Sequence, residues 1–144
     1  MRTEANYGLT EEQLEIRNMV REFAEERVRP VRAELDEKEE FPTEILKELG
    51  KMDLMGLYIP QEYGGFGGHS LEYCLAIEEL SRACIGVSVS YAANALGSYS
   101  ILFAGTEEQK KKYMPPLASG EKLAAFALTE PNAGSAAGGT QTTA

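Results

Sequence analysis

Tryptophan is absent from this sequence, histidine occurs once and cysteine only twice. His69, Cys74 and Cys84 have no CxxC or other ligand spacing, so a metal centre is not expected. Both cysteines lie among apolar residues and read as buried free thiols, which suits a reducing compartment. Positive charge is also scarce. With 14 Lys and Arg against 23 Asp and Glu the net charge is -9, which argues against nucleic acid or an anionic bilayer as partner. The opening residues, MRTEANYGLTEEQ, carry no apolar run of the kind a secretory signal needs. Charge of either sign is missing between Arg82 and Glu107. That gap exceeds the roughly 20 residues of a membrane-spanning helix. However, Ser88, Ser90, Asn94, Ser98 and Ser100 recur through it with Gly86, Gly97 and Gly105, the composition of a helix packed tightly inside a protein. A membrane span is not expected.

What is present is an ordinary globular composition, 43% hydrophobic and 26% charged over 144 residues, enough for one domain with its own core. Thr10–Gln13 reads TEEQ, a capping box that opens a first helix. Ile16, Met19, Val20, Phe23, Ala24 and Val28 follow as one apolar stripe, and Pro30 is expected to kink or interrupt the helix before Val31, Ala33 and Leu35 resume it. Pro42 starts a second helix with Ile45, Leu46, Leu49 and Met52 on one face. Asp53 falls at its end, where a short polar side chain tolerates a left-handed backbone. After the glycine-dense LYIPQEYGGFGGHS, Ser70 is expected to cap a third helix bearing Leu71, Cys74, Leu75, Ile77 and Leu80, with Glu78 and Glu79 turned outward. Val87–Ala104 forms a fourth, apolar on nearly all sides and therefore central. A second TEEQ, Thr106–Gln109, opens a fifth, whose lysine run reads as a solvated face and which Pro115 and Pro116 are expected to end.

Beyond Glu121 the period changes. Leu123–Leu128 is short, apolar and bounded by turn residues, and reads as a strand. A single strand leaves its backbone groups unpaired, so either a partner strand lies outside these residues or the sequence is the front of a longer one. The final loop, TEPNAGSAAGGTQTTA, is built from small residues. Thr129 and Ser135 offer hydroxyls, and Gly134, Gly138 and Gly139 permit turns and expose amides. Such a loop wraps an anion or the polar edge of a planar ring, or else is a mobile tail. No lysine follows it, so it is not a P-loop.

AFALTEPNAGSAAGG resembles the signature of the acyl-CoA dehydrogenase family, Thr-Glu-Pro-x-x-Gly-Ser-Asp. IPQEYGGFGG, AIEELSRA and GTEEQKKKYMPPLASGE are similar, in order and spacing, to that family's helical N-terminal domain, and the resemblance covers essentially the whole chain. It implies a mainly α fold: the N-terminal helical bundle over residues 1–122, then the first strand and loop of a middle β domain over 123–144. It implies FAD as cofactor, with Phe126, Leu128 and Thr129 along the pyrimidine edge of the flavin and Gly134 and Ser135 near its pyrophosphate. Ala136 departs from the signature, which has aspartate there. Ser88, Val89, Ala92 and Leu96 resemble positions that line an acyl-chain pocket. The implied reaction is oxidation of an acyl-CoA to the trans-2-enoyl-CoA: a carboxylate removes the α proton while hydride passes from the β carbon to the flavin. The implied partners are the acyl-CoA substrate, an electron-transfer flavoprotein and further copies of the chain, as a dimer or tetramer. The implied compartment is the cytoplasm, or the mitochondrial matrix in a eukaryote. The resemblance places the catalytic base in a C-terminal domain, so no catalytic residue is expected within these 144 residues and the isolated chain is expected to be inactive. The alternative is a stand-alone, non-catalytic helical interaction module derived from that family.

Overall fold

The computed structural model describes residues 8–143, and six α-helices account for most of them. Helix α1 spans Glu11–Phe23. Its capping box forms as the sequence requires: Gln13 N–H donates to Thr10 Oγ1 at 3.2 Å, and Thr10 N–H to Gln13 Oε1 at 3.0 Å. Ile16, Val20, Phe23, Ala24 and Val28 are buried, whereas Met19 sits at the exposed edge of the stripe. The expected interruption at Pro30 occurs through a widening of the helix. Ala24–Val28 is a π-helical turn, with Arg29 N–H bonded to the Ala24 carbonyl at 2.9 Å. A regular helix would press the proline ring onto the carbonyl four residues back. Helix α2, Arg32–Glu37, resumes beyond it.

Helix α3, Thr43–Lys51, buries Ile45, Leu46 and Leu49. Asp53 has φ +59°, the left-handed conformation expected at this helix end, and a short turn over Leu54–Gly56 follows. Helix α4, Ser70–Ala83, and helix α5, Ile85–Ala104, are joined by the single extended residue Cys84. Arg32 reaches across to donate to the Ala83 carbonyl at 2.8 Å, filling an acceptor that the end of α4 leaves open. Helix α6, Glu107–Ala118, repeats the Thr10 arrangement at Thr106. The helices pack in series, α1 on α4, α4 on α5 and α5 on α6. Val20, Leu49, Ile59, Leu80 and Met114 lie fully buried in the core between them. Each such side chain contributes about 1.5–3 kcal/mol of transfer free energy.

Several expectations are corrected. Glu79 is not turned outward; it is 2% exposed, because Arg21 from α1 meets it there. Cys74 is exposed and Cys84 half-buried, so neither is a core thiol. Leu71 is exposed as well, because α4 presents Tyr73, Leu75, Ala76, Leu80 and Ala83 to the core. The residue before the first turn of α4 is His69, whose N–H donates to Glu72 Oε2 at 2.8 Å, and Ser70 is already inside the helix. Pro115 and Pro116 do not end α6. Proline φ is helical, and the Pro115 carbonyl still accepts from Ser119 N–H at 3.1 Å while buried Met114, Leu117 and Ala118 anchor the last turn. Helix α5 is central on one side only. Finally, Leu123–Leu128 forms no strand: among the described residues it has no ladder partner, and Glu130 with Ala133 makes one isolated bridge. No helix among the described residues is long and apolar enough to cross a membrane.

Candidate functional site

Helix α5 has two faces of different character. Val87, Tyr91, Ala95 and Ser98 are buried against the bundle, while Ile85, Val89, Leu96 and Phe103 are exposed, from 51% at Leu96 to 77% at Phe103. Spacings of three and four residues put Ile85, Val89, Ala92 and Leu96 on one stripe. A run of apolar side chains this size in water marks a surface that something covers. Of the four residues assigned to the acyl-chain pocket, Val89, Ala92 and Leu96 lie on this stripe, with Ala92 half-buried. Ser88 lies on the buried side, where its hydroxyl donates to the Ile77 carbonyl at 3.1 Å and accepts from Ser81 Oγ at 2.9 Å.

The chain returns to α5 after α6. Ala124 N–H donates to Asn94 Oδ1 at 2.8 Å. One turn along, Gly97 lets the backbone of Ala124 and Ala125 lie against the helix. A Cβ at Gly97 would stand 2.8 Å from both the nitrogen and the oxygen of Ala125. On either side of this contact Leu123, Phe126 and Leu128 are each about half exposed, at 43–46%. The N–H and C=O groups of residues 125–129 make no hydrogen bond among the described residues. A backbone with free donors and acceptors can pair with the polar edge of a planar heterocycle.

The loop beyond is closed on itself by Glu130. Its backbone exchanges two bonds with Ala133, at 3.0 and 3.1 Å. Its carboxylate accepts from Gln141 N–H at 2.8 Å and Thr142 N–H at 2.9 Å. The hydrogen bonds from Thr142, and then Gln141, hold its carboxyl below the usual range. A carboxylate so engaged shapes a loop rather than removing protons. Thr129, Gly134 and Ser135 are exposed on this loop. Ala136 has no carboxylate to offer, yet its carbonyl accepts Gly139 N–H at 2.9 Å and a short turn over Ala137–Gly139 forms.

A row of aromatic rings backs the site. Tyr91, Tyr73, Tyr58, Tyr99 and Phe103 follow one another with ring centroids 5.0–5.3 Å apart, from the core to the open end of α5. Tyr58 Oη lies 2.7 Å from Ser98 Oγ, and burial pushes its pKa up to about 12. An open cleft of about 860 Å³ lies beside this row, with Tyr58, Tyr63, His69, Tyr99, Phe103 and Glu107 on its walls. No group of three metal-ligating side chains gathers among the described residues. Sequence reasoning passed over Asn94 and Gly97 as mere small polar packing, although Asn94 is the only side-chain amide in this uncharged helix.

Comparison with known proteins bears on the family and the fold. The acyl-CoA dehydrogenase N-terminal domain matches residues 10–121. A probable acyl-CoA dehydrogenase of Bacillus subtilis and a short-chain-specific acyl-CoA dehydrogenase of Clostridium acetobutylicum are each 49% identical over 140 residues, 96% of this chain. The chain spans 37% of the length of each. A chain in the structure titled for the electron transferring flavoprotein of Acidaminococcus fermentans superposes with TM-score 0.89 at 41% identity, over 96% of this chain and 37% of that one. An acyl-CoA dehydrogenase of Bacillus anthracis, solved in complex with FAD, superposes with TM-score 0.87 at 41% identity, over 94% of this chain and 24% of that one. The chain belongs to the acyl-CoA dehydrogenase family, in which it matches the helical N-terminal domain.

Proposed function

We propose that this chain is the N-terminal portion of an FAD-dependent acyl-CoA dehydrogenase that oxidises an acyl-CoA thioester to its trans-2-enoyl-CoA. The observation that carries the reading is that one helix has two roles. Helix α5 leaves an apolar stripe open on one face. Further round, at Asn94 and Gly97, it holds the chain that leads into the backbone of residues 125–129, unbonded among the described residues. The same helix would therefore serve an acyl chain and a flavin edge. FAD, when bound, takes up the hydride. The part of these residues is to hold and orient. Phe126, Leu128 and Thr129 present backbone and hydroxyl groups to the pyrimidine edge, which stabilises negative charge there. Gly134 and Ser135 offer amides and a hydroxyl to the pyrophosphate. Val89, Ala92 and Leu96 exclude water from the acyl chain, and Ser88 fixes the depth of α5 against α4.

In this reading residues 1–122 form the helical domain and 123–144 open the β domain. The proton-abstracting carboxylate comes from outside these residues, as the family resemblance implies, and Glu130 is engaged by the loop. The 144 residues alone therefore do not turn over substrate. The electron acceptor is an electron-transfer flavoprotein, a partner class supported by the Acidaminococcus fermentans structure, and the assembly is a homo-oligomer in a reducing compartment.

The test is an anaerobic titration of the purified protein that carries these residues with butyryl-CoA, following the visible absorption of the flavin. Bleaching in proportion to added thioester, with enoyl-CoA recovered, is the expected result. A protein that purifies without flavin and takes up none from free FAD would sink the reading. Thr129→Val should leave the fold intact and weaken FAD binding by about tenfold, the cost of one charge-stabilising hydrogen bond.

A further inference from the structure

Three features outside the proposed contacts invite explanation: the open cleft beside Tyr58 and Phe103, an acidic groove between α2 and α3, and the buried amide of Asn94. Nothing in the structure indicates what would fill the cleft. The carboxylates of the groove are largely paired with their own neighbours, Glu34 with Lys38, Glu44 with Lys47 and Glu48 with Arg27. Asn94 is different. It is 2% exposed, it sits three residues from Gly97 on one face of α5, and both touch the same piece of returning chain.

We infer that Asn94 and Gly97 form a seat on α5 that fixes the height and register of residues 124–129, so that α5, which lines the acyl side, also positions the flavin-edge segment. The inference rests on the functional reading above and assigns two positioning residues to it. Asn94 supplies the attraction. Its amide orientation is determined, because the atom facing Ala124 N–H has to be an acceptor, which places Oδ1 there and leaves Nδ2 as a buried donor without a partner among the described residues. Gly97 supplies the distance. Any side chain at 97 would collide with backbone atoms 2.8–2.9 Å away and push the segment off the helix. Among the described residues the segment from 124 to 129 has no other hydrogen bond. Its position relative to α5 therefore hangs on this seat, and a displacement of even 1 Å there is felt at the reacting centre.

The seat also accounts for a glycine that helix propensity disfavours. Alanine at position 97 would favour the helix by roughly 1 kcal/mol, so a purely helical role would be better served by alanine. Gly86 is the natural control. It lies in the same helix, and a Cβ there meets only Cys84 Sγ, at 3.9 Å.

The experiment uses the full flavoprotein carrying this chain, with free FAD as probe. Three quantities are measured: the FAD dissociation constant, the flavin midpoint potential and the helical circular dichroism. Gly97→Ala is expected to keep the helical signal, weaken FAD binding at least about tenfold and shift the midpoint potential. Gly86→Ala is expected to change neither flavin property. Asn94→Leu, close to the original in size but without the acceptor, should match Gly97→Ala, and Asn94→Asp, which restores an acceptor toward Ala124 N–H, should recover most of the affinity. If Gly97→Ala and Gly86→Ala bind FAD equally and share one potential, the seat is wrong although the flavoenzyme reading stands. Recovery in Asn94→Asp no better than in Asn94→Leu would also overturn it, since the hydrogen bond to Ala124 would then hold nothing. A parent protein that binds no FAD overturns the functional reading instead, so the two failures are distinguishable.

Discussion

Arg21 on α1 grips the buried carboxylate of Glu79 on α4 with two parallel hydrogen bonds, Nε to Oε2 at 2.9 Å and Nη2 to Oε1 at 2.7 Å. Arg82 adds a third from its own helix at 2.7 Å. The carboxylate is almost wholly out of water and the arginine is partly in it. Truncating one partner of such a pair leaves the other uncompensated. Glu79→Ala is expected to lower stability by about 3 kcal/mol, the low end for buried pairs because Arg21 keeps some hydration. Urea unfolding of parent and variant checks this, and a loss below about 1 kcal/mol would show the pair to be a surface contact in effect.

The same carboxylate gives an acid limb. Burial pulls the Glu79 carboxyl upward, but the hydrogen bonds from Arg21 and Arg82 outweigh it and hold the group below its usual range. Glu72 follows the same logic: burial raises it, and the bonds from Gln13 and the backbone, including His69 N–H, lower it further than that. A carboxyl depressed in the folded state contributes stability that is present above its unfolded pKa of about 4.3 and is lost as pH falls through the folded value. Melting temperature measured from about pH 7 to about pH 3 should therefore fall steeply below about pH 4.5. The fall should be shallower in Glu79→Gln, and identical slopes would show that Glu79 is not part of the transition.

Tyr58 gives the alkaline counterpart. Burial pushes its phenol up to about 12, partly offset by the Ser98 hydroxyl. The unfolded phenol ionises near 10, so the stability from this group is intact below that pH and lost between about 10 and 12. An ultraviolet phenolate titration of Tyr58→Phe against the parent should differ only in that upper window.

Gly65 is a packing requirement. A Cβ there would lie 2.0 Å from the Ile59 carbonyl oxygen, and Ile59 is fully buried. Gly65→Ala should cost about 3 kcal/mol through forced backbone movement. Gly134 has open space around it, so Gly134→Ala should change stability by less than about 0.5 kcal/mol. Thermal unfolding of the two variants side by side checks the contrast.

If the α5 stripe lines the acyl chain, its depth is adjustable at Ala92. Ala92→Phe in the full flavoprotein is expected to lower kcat/KM for octanoyl-CoA relative to butyryl-CoA by about tenfold or more, from the volume of the ring. An unchanged ratio would remove Ala92 from the pocket.

What the sequence determined by itself is local. The two TEEQ boxes begin α1 and α6 because their hydrogen bonds span three residues and need nothing from elsewhere. Pro30 breaks the first helix, Asp53 takes a left-handed backbone, and the apolar stripes of α1 and α3 turn inward, all from short-range sterics and periodicity. The family motifs were legible for the same reason, as strings of neighbouring residues. What the tertiary structure decided is which groups meet across the chain. Glu79 turns inward because Arg21, 58 residues away, neutralises it there. Leu123–Leu128 has strand composition but no strand, because a ladder needs a second edge and α5 offers only Asn94 and Gly97. Helix α5 is apolar on nearly all sides and was expected to be central, and packing covered one face and left the other open. Periodicity reports that a residue is apolar, but only the arrangement of neighbouring helices decides whether anything covers it.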